Sequence, residues 1–531
     1  MTNSSPEFET DTACFLIMGS NTSEGHPLIA SRIMKAKEAR GAKVIVIDPR
    51  DIQMAHLADL YLPFRPGTDV AVLNGLMNVI ISEGLEDKAY IAERTEGYEE
   101  LKAAVAAYTP ERVEQISGIP ADGLRAAARM YAQNKPAAIL YAMGITQHTT
   151  GTDNVKSCAN LAMLTGNVGI PGGGVNPLRG QNNVQGACDM GGLPNVYPGY
   201  QPVTSPEAQQ KFRQAWGNAP DLQVGLTVTE MINAVGDGTV RALYVMGENP
   251  MVADPDINHA RHCLEQAGFL VVQDIFLSET AQLAHVVLPA ASFAEKDGTF
   301  TATDRRVQRV HQAVEPPGQA RTDWEIICDL AQRMGASGFD FTSPKEIMTE
   351  IARLTPSYGG ISYERLEELG FLQWPCPTPD HPGTPYLHKG KFSRGLGRFH
   401  SIDYQDPAEL PDDEYPFILT TGRIMFHFHT GTMTRRSARL HQEVPAAYVE
   451  LHPDDAARIG LDGKRRVRVS SRRGQIELGV RVTRRIKPGI VFIPFHFAEA
   501  AANALTNAAL DPIAKIPEYK VCAVRLEPID E

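Results

Sequence analysis

Short apolar runs separated by amphipathic stretches dominate the first part of the chain. Ala13-Cys14-Phe15-Leu16-Ile17-Met18 stops at Gly19-Ser20-Asn21, and Lys43-Val44-Ile45-Val46-Ile47 stops at Asp48-Pro49-Arg50. A third run, Asp59-Leu60-Tyr61-Leu62-Pro63, leads to Gly67-Thr68-Asp69. Runs that are apolar at nearly every position fit strands buried on both faces. Between them the period changes to that of a helix: residues Ile29 to Ala39, then Val72, Leu73, Leu76, Val79 and Ile80 behind the cap at Gly67-Thr68-Asp69, then Ala121 to Gln133. Ala137 to Ala142 is a further strand. This alternation predicts an α/β fold with a doubly wound, Rossmann-like parallel sheet.

The same run ends return further along. Ala242 to Met246 ends at Gly247-Glu248-Asn249-Pro250, Phe269 to Gln273 ends at Asp274, and His285 to Pro289 parallels Asp59 to Pro63. Fifteen positions separate Asp48 from Pro63, and fifteen separate Asp274 from Pro289. Matching strand ends predict two similar nucleotide-type domains, residues 1–181 and 182–293, facing one cleft. Residues 294–386 are less regular and read as a connecting region, with a helix near Asp323 to Met334 and a proline-rich stretch from Pro375 to Pro385. From Tyr415 the pattern turns to β: Pro416 to Arg423, Val467 to Ser471, Ile476 to Val482 and Ile490 to Phe495, with turns at Arg473-Gly474 and Lys487-Pro488-Gly489. A short helix starts near His452-Pro453-Asp454-Asp455, and residues 387–531 read as a compact β-barrel domain.

Composition narrows the classes of function. With 43% hydrophobic and 21% charged residues, the 531-residue chain is globular, and its length suffices for several cores. A net charge of −12 argues against nucleic acid or an anionic membrane as a general partner. The basic stretch Lys464 to Arg485 is a local exception, read as the solvated face of alternating strands. No apolar run approaches the ~20 residues of a membrane span. The seven cysteines are scattered without a Cys-x-x-Cys, so no iron–sulfur or zinc site is expected from this chain, and a reducing, cytoplasmic compartment suits them. The N-terminus is polar and acidic, unlike a signal peptide.

Candidate chemistry gathers at strand ends, because ligands of open parallel sheets sit beyond the carboxyl ends of the strands. Gly19, Asn21, Asp48, Arg50 and Gly67 fall along one such rim, and Gly247, Asn249, Gln273 and Asp274 fall at the equivalent positions of the second unit. A carboxylate there can take the N–H groups of a guanine edge and an arginine can reach a phosphate, although Asp-Pro-Arg also serves as simple turn punctuation. The run Asn176 to Gly191 combines Arg179, several amides and three glycines without helical or strand periodicity. It can present donors and close-approaching backbone to a polar, anionic ligand. His427 and His429 have a spacing that suits a metal, but no third or fourth ligand accompanies them.

The Arg179 run, together with Tyr197-Pro198-Gly199-Tyr200, resembles the active-site loop of the formate dehydrogenases, enzymes that carry bis-molybdopterin guanine dinucleotide. The resemblance extends from Met1-Thr2-Asn3-Ser4 to Glu518-Tyr519-Lys520-Val521-Cys522-Ala523-Val524-Arg525. It implies that cofactor with molybdenum or tungsten, formate as the substrate, carbon dioxide as the product and electron transfer to electron-accepting subunits. The family's catalytic subunit carries, upstream of the part resembled here, a cysteine-ligated iron–sulfur domain and a Cys or selenocysteine that ligates the metal. The chain is therefore expected to be the C-terminal part of such a subunit, inactive without the missing N-terminal part and supplying no metal ligand itself. Residues 182–293 are expected to form an incomplete domain for the same reason.

The resemblance also assigns roles. Asp48 and Arg50 would hold one guanine nucleotide, and Gly247, Asn249, Gln273 and Asp274 the other, with the elongated ligand pair between the two domains. Gln147 and Gln181 would lie near the cofactor. In the C-terminal domain, read as the family's double-psi barrel, Arg423, His427, His429, Asn503, Tyr519 and Lys520 would add pterin contacts. Arg179 would orient the formate carboxylate, the other reading being a pairing with a pterin phosphate. Two rivals stand beside this reading: a nitrate reductase-like enzyme of the same superfamily, and a cofactor-free structural subunit of a respiratory complex.

Overall fold

The computed structural model describes residues 1–217 and 223–530. Strands Cys14–Met18 (β1), Lys43–Ile47 (β2), Leu60–Leu62 (β3), Ala137–Tyr141 (β4) and Val175–Pro177 (β5) form one parallel sheet in the order β3-β2-β1-β4-β5. Helix Pro27–Arg40 (α1) covers one face over Phe15, Ile17, Val44 and Val46. Helices Asp69–Ser82 (α2), Ala121–Gln133 (α3) and Gly151–Leu164 (α4) cover the other, over Leu16, Met18, Ile45 and Ile47. Both faces are buried, which is why these strands read as unbroken apolar runs rather than alternating ones. From β1 the chain goes to β2 on one side and later returns to β4 on the other. The switch point therefore lies between β1 and β4.

The second parallel sheet contains Ala242–Met246 (β6), Phe269–Asp274 (β7) and Val286–Pro289 (β8) in the order β8-β7-β6. Val245, Leu270 and Val272 pack on one side with Val235 of helix Val228–Gly236 (α5). The opposite side leaves Tyr244, Met246, Phe269 and Val286 exposed, an unusual state for a parallel sheet.

The segment expected to connect folds around its own antiparallel sheet of Gly298–Thr301 (β9), Arg306–Val310 (β10) and Leu372–Gln373 (β11), with helix Asp323–Arg333 (α6) between β10 and β11 in the chain. A separate core forms there around Val307, Tyr358, Leu366 and Leu372. Arg305 is fully buried, donating to the carbonyls of Trp374, Thr384 and Pro385.

Strands Phe417–Gly422 (β12), Tyr448–Leu451 (β13), Arg466–Ser470 (β14), Gln475–Val482 (β15), Ile490–Pro494 (β16) and Cys522–Ile529 (β17) close a six-stranded barrel in the order β12-β16-β13-β15-β14-β17. Its pairs are mixed: β12/β16 and β13/β15 run parallel, the others antiparallel. The short helix Pro453–Arg458 (α7) begins after an N-cap at His452.

The chain divides into two compact units. One comprises residues 1–180, 252–258 and 386–531, and the other 181–251 and 259–385. The first sheet and the barrel thus belong to one unit. Arg50, at the end of β2, reaches Glu450 of β13 through both nitrogens of its fork, at 2.9 to 3.1 Å, and stacks 3.5 Å over the Phe492 ring. Backbone pairing of Asp51 with Arg485 (2.7 Å) extends the seam.

Candidate functional site

The switch point between β1 and β4 is built for close approach. Gly19 has φ +58°, and a Cβ there would stand 2.7 Å from the Gly144 backbone. A Cβ on Gly144 would stand 2.5 Å from Gly19 Cα. Only two glycines allow these loops to touch. Just beyond, both amide atoms of Asn21 are buried without a hydrogen-bond partner among the described residues. Such a group costs roughly 1–3 kcal/mol unless a ligand or water satisfies it.

Two carboxylates lie on the same unit. Asp69, in the first turn of α2, is 1% exposed, and neither oxygen has a hydrogen bond among the described residues. His148 approaches it with Nε2 at 3.7 Å and lies 3.8 Å from Glu518 through Nδ1. Burial pushes Asp69 up to about 6, with His148 opposing. Asp48 accepts the Arg50 N–H at 3.0 Å, and burial pushes it also to about 6. Sequence reading treated Asp69 only as part of a helix cap and passed over His148 and Glu518.

Carboxylates raised in the fold from about 4 bind more protons folded than unfolded, so their contribution to stability is complete below about 4 and is lost as pH rises through about 6. Melting curves of wild type and Asp69→Asn should show this directly. The advantage of wild type over the variant is expected to fall between pH 4 and 6.5, and a constant difference would count against the buried, unsatisfied state.

The barrel adds cations. Arg423 follows β12, and its guanidinium lies against Gly180, where a Cβ would be 2.1 Å from Nη1. No hydrogen bond or ion pair to it occurs among the described residues, and burial pulls its pKa down. Lys520 donates to the Thr421 carbonyl at 2.7 Å. Burial, with Arg423 beside it, brings Lys520 down to about 7, while Asp48 opposes this. Lys520 is thus within electrostatic reach of both Arg423 and Asp48. His429, at φ +48°, is held neutral at about 4 by burial and by Arg423.

Arg179 follows β5. Leu178 is buried and its N–H donates to the Tyr141 carbonyl at 2.7 Å, while the Arg179 carbonyl accepts from His26 Nε2 at 2.7 Å. Most amides of the run are engaged inside the protein. Asn176 accepts from Asn3 N–H (3.2 Å) and donates to Gly173 (3.0 Å). Asn183 accepts the Thr301 N–H at 2.9 Å, and Gln185 donates to Asp189 (2.8 Å) and Tyr200 (2.9 Å). The expected fork of amides is therefore largely scaffold. Gln147 ends the short turn Met143–Thr146, donating its N–H to Met143, and the Gln181 carbonyl accepts from Val184.

Several other candidates are occupied. Any phosphate on Arg50 would compete with Glu450 for its fork. His427 is satisfied at both nitrogens, by Val444 carbonyl (2.8 Å) and Thr434 hydroxyl (3.2 Å), a core histidine rather than half of a metal pair. No cluster of three or more metal-ligating side chains occurs among the described residues. Asn249 donates to Glu279 (2.8 Å) and accepts from the Thr280 hydroxyl (2.8 Å). Gln273 is held between Tyr244 and Asp323.

Gly67 serves packing, since a Cβ would meet Pro407 at 2.4 Å. Asn503 donates to the carbonyls of Val252 (3.0 Å) and Ala253 (2.9 Å), leaving its Oδ1 buried and unsatisfied among the described residues, and Tyr519 also donates to Ala253 (2.9 Å). Gly247 (φ +64°) and Asp274, whose Oδ1 accepts the Ile275 N–H at 2.6 Å, end strands of the second unit as expected from the sequence. The loop after β12 is fixed by a residue the sequence did not single out. His496 accepts the Ile424 N–H at 3.1 Å and donates to the His429 carbonyl.

A fold of this type, with orphaned buried polar groups at a sheet switch point and a barrel arginine without an ion pair among the described residues, suits a polar anionic ligand. The family profile described as Molybdopterin oxidoreductase matches residues 1–333, and the Molydopterin dinucleotide binding domain matches 417–523. The chain belongs to the molybdopterin oxidoreductase family. Along its whole length it is 55% identical to "F420-dependent formate dehydrogenase 1 subunit alpha" of Methanococcus maripaludis, covering 78% of that protein. It is 44% identical to "Formate dehydrogenase H" of Escherichia coli, covering 74% of it. Acetylene hydratase from Pelobacter acetylenicus shares the fold at a TM-score of 0.77 and 22% identity, over 99% of this chain and 81% of that one.

Proposed function

We propose that the chain is the bis-molybdopterin guanine dinucleotide-binding part of a formate dehydrogenase catalytic subunit, acting in the oxidation of formate to carbon dioxide. The observation that carries this reading is the set of unsatisfied groups in one unit: Asn21, Asp69 and Asn503 Oδ1 as buried hydrogen-bonding atoms, and Arg423 as a cation without an acidic partner among the described residues. Carboxylates suit the N–H edge of a guanine, and a guanidinium suits phosphate or carboxylate. When bound, the group would supply two-electron redox chemistry at its metal. The chain's own part is to bind, orient and exclude water. Arg179 is proposed to orient the formate carboxylate, with Gln147, Gln181, His429 and Lys520 lining the cofactor.

Further parts of the reading follow. Electron-accepting partner subunits are implied by the "subunit alpha" of the relatives, and F420 is the acceptor to try first. A cytoplasmic home is supported by the seven free cysteines, which suit a reducing compartment. The open face of β6 and β7 supports a covering layer from outside this sequence, in line with an incomplete domain at 182–293.

The test is chemical analysis of the purified enzyme that carries this chain. Stoichiometric guanine nucleotide with molybdenum or tungsten, and electron release from formate but not reduction of nitrate, are expected. Absence of guanine and metal would support the cofactor-free structural subunit. In the same enzyme, Asp48→Ala is expected to weaken cofactor retention by about 1.5–3 kcal/mol, the worth of a charged hydrogen bond. Unaltered guanine content after extended dialysis would remove Asp48 from the site.

A further inference from the structure

We infer that His26 is a positioning residue for Arg179, holding the peptide from which the substrate-facing guanidinium departs. This rests on the reading of Arg179 as the carboxylate contact. The Arg179 carbonyl can only accept, so in the 2.7 Å contact the proton sits on His26 Nε2. Nδ1 is then a lone pair, buried and without a hydrogen-bond partner among the described residues. Burial, with Arg423 nearby, lowers the tendency of the ring to take a second proton.

The ring has a rigid base. The His26 N–H donates to Thr22 at 2.9 Å, and its carbonyl accepts from Ile29 and Ala30 at 3.0 Å each. It is the N-cap of α1, and Pro27 after it restricts its backbone. The residue therefore starts a helix and simultaneously spans 153 positions to the Arg179 loop.

Arg179 needs such a hold because Gly180 follows it. A glycine leaves the next peptide freer than any other residue would. A larger residue there would collide with Arg423, so the freedom cannot be removed locally. On the other side, Leu178 is already fixed by burial and by its bond to Tyr141. His26 fixes the peptide that follows Arg179. With Leu178 anchored before it and that peptide held after it, the Arg179 Cα has a restrained origin, which is what orientation of a small carboxylate requires.

The experiment compares His26→Leu, His26→Gln and Arg179→Ala in the cofactor-loaded enzyme carrying this chain. Three readouts are taken: metal content, hydrogen–deuterium exchange of peptides spanning residues 177–183, and formate KM and kcat. His26→Leu is expected to raise exchange of that segment and the formate KM by about tenfold each, with metal content unchanged and a smaller effect on kcat. The Gln amide can reach the same carbonyl, so His26→Gln should restore most of both. If His26→Leu does not fold, His26→Asn serves, because its amide nitrogen falls short of the Nε2 position. Unchanged exchange in the Leu or Asn variant overturns the inference. So does raised exchange with an unchanged KM. A normal KM in Arg179→Ala overturns the reading of Arg179 beneath it, whatever the exchange shows.

Discussion

Replacing Glu450 by alanine lowers the stability of the protein by about 3–5 kcal/mol, the expected cost of stranding one member of a buried ion pair. Both side chains are at most 7% exposed, and the Arg50 fork makes three contacts of 2.9–3.1 Å with the carboxylate. Alanine leaves the guanidinium buried against Phe492 with no counterion in contact among the described residues, and Arg485, 4.0 Å from the same carboxylate, loses a partner as well. The pair itself need not be worth that much, since two charges taken out of water recover little more than their desolvation. The double variant Arg50→Met with Glu450→Leu should therefore regain most of the loss. Urea unfolding of the three proteins decides the matter. A Glu450→Ala variant within about 1 kcal/mol of wild type would mean that the seam is wet and weak.

If Arg179 orients formate as proposed, Arg179→Ala is expected to reduce formate turnover by about a hundredfold or more, on the order of what misplacement of a small substrate costs. Arg179→Lys keeps the charge but loses the planar two-point fork, and is expected to fall between wild type and the alanine variant. Metal and guanine content should stay near normal in both. Steady-state kinetics set beside metal analysis separate the alternatives. Full turnover in the alanine variant would end the substrate assignment, and joint loss of metal and turnover would favour pairing of Arg179 with a cofactor phosphate.

The first sheet was legible in the sequence because burial on both faces leaves strands without polar interruptions. The expected helix over Ala121 to Gln133 and that near Asp323 to Met334 stand at Ala121–Gln133 and Asp323–Arg333. The barrel was only partly legible. Tyr448–Leu451 contains Glu450, whose charge breaks the apolar pattern and is tolerated only because Arg50, 400 positions away, meets it. The edge strand Val175–Pro177 was hidden likewise, its central Asn176 being fully buried and hydrogen-bonded to Asn3 and Gly173.

Strand-end logic singled out Asn21 and Asp48 but not Asp69, His148 or His26. Their environment comes from loops distant in the chain: His148 sits between Asp69 and Glu518, and His26 meets Arg179. Conversely, a single sequence does not reveal that Asn249 meets Thr280 or that Gln273 meets Asp323.

The seam between Arg50 and Glu450 also has a bearing on the order of events during synthesis. Its halves belong to one compact unit whose two main segments, residues 1–180 and 386–531, leave the ribosome far apart in time. At elongation rates of about 5–20 residues per second, Glu450 follows Arg50 by roughly 20–80 seconds. The second unit, encoded almost wholly between them, can be complete while Arg50 still faces solvent. The nascent first segment can form its sheet, but its rim stays open until the barrel strands arrive. A cofactor that requires both the rim and Arg423 would thus meet its full set of contacts only once the barrel has been made, long after the first sheet.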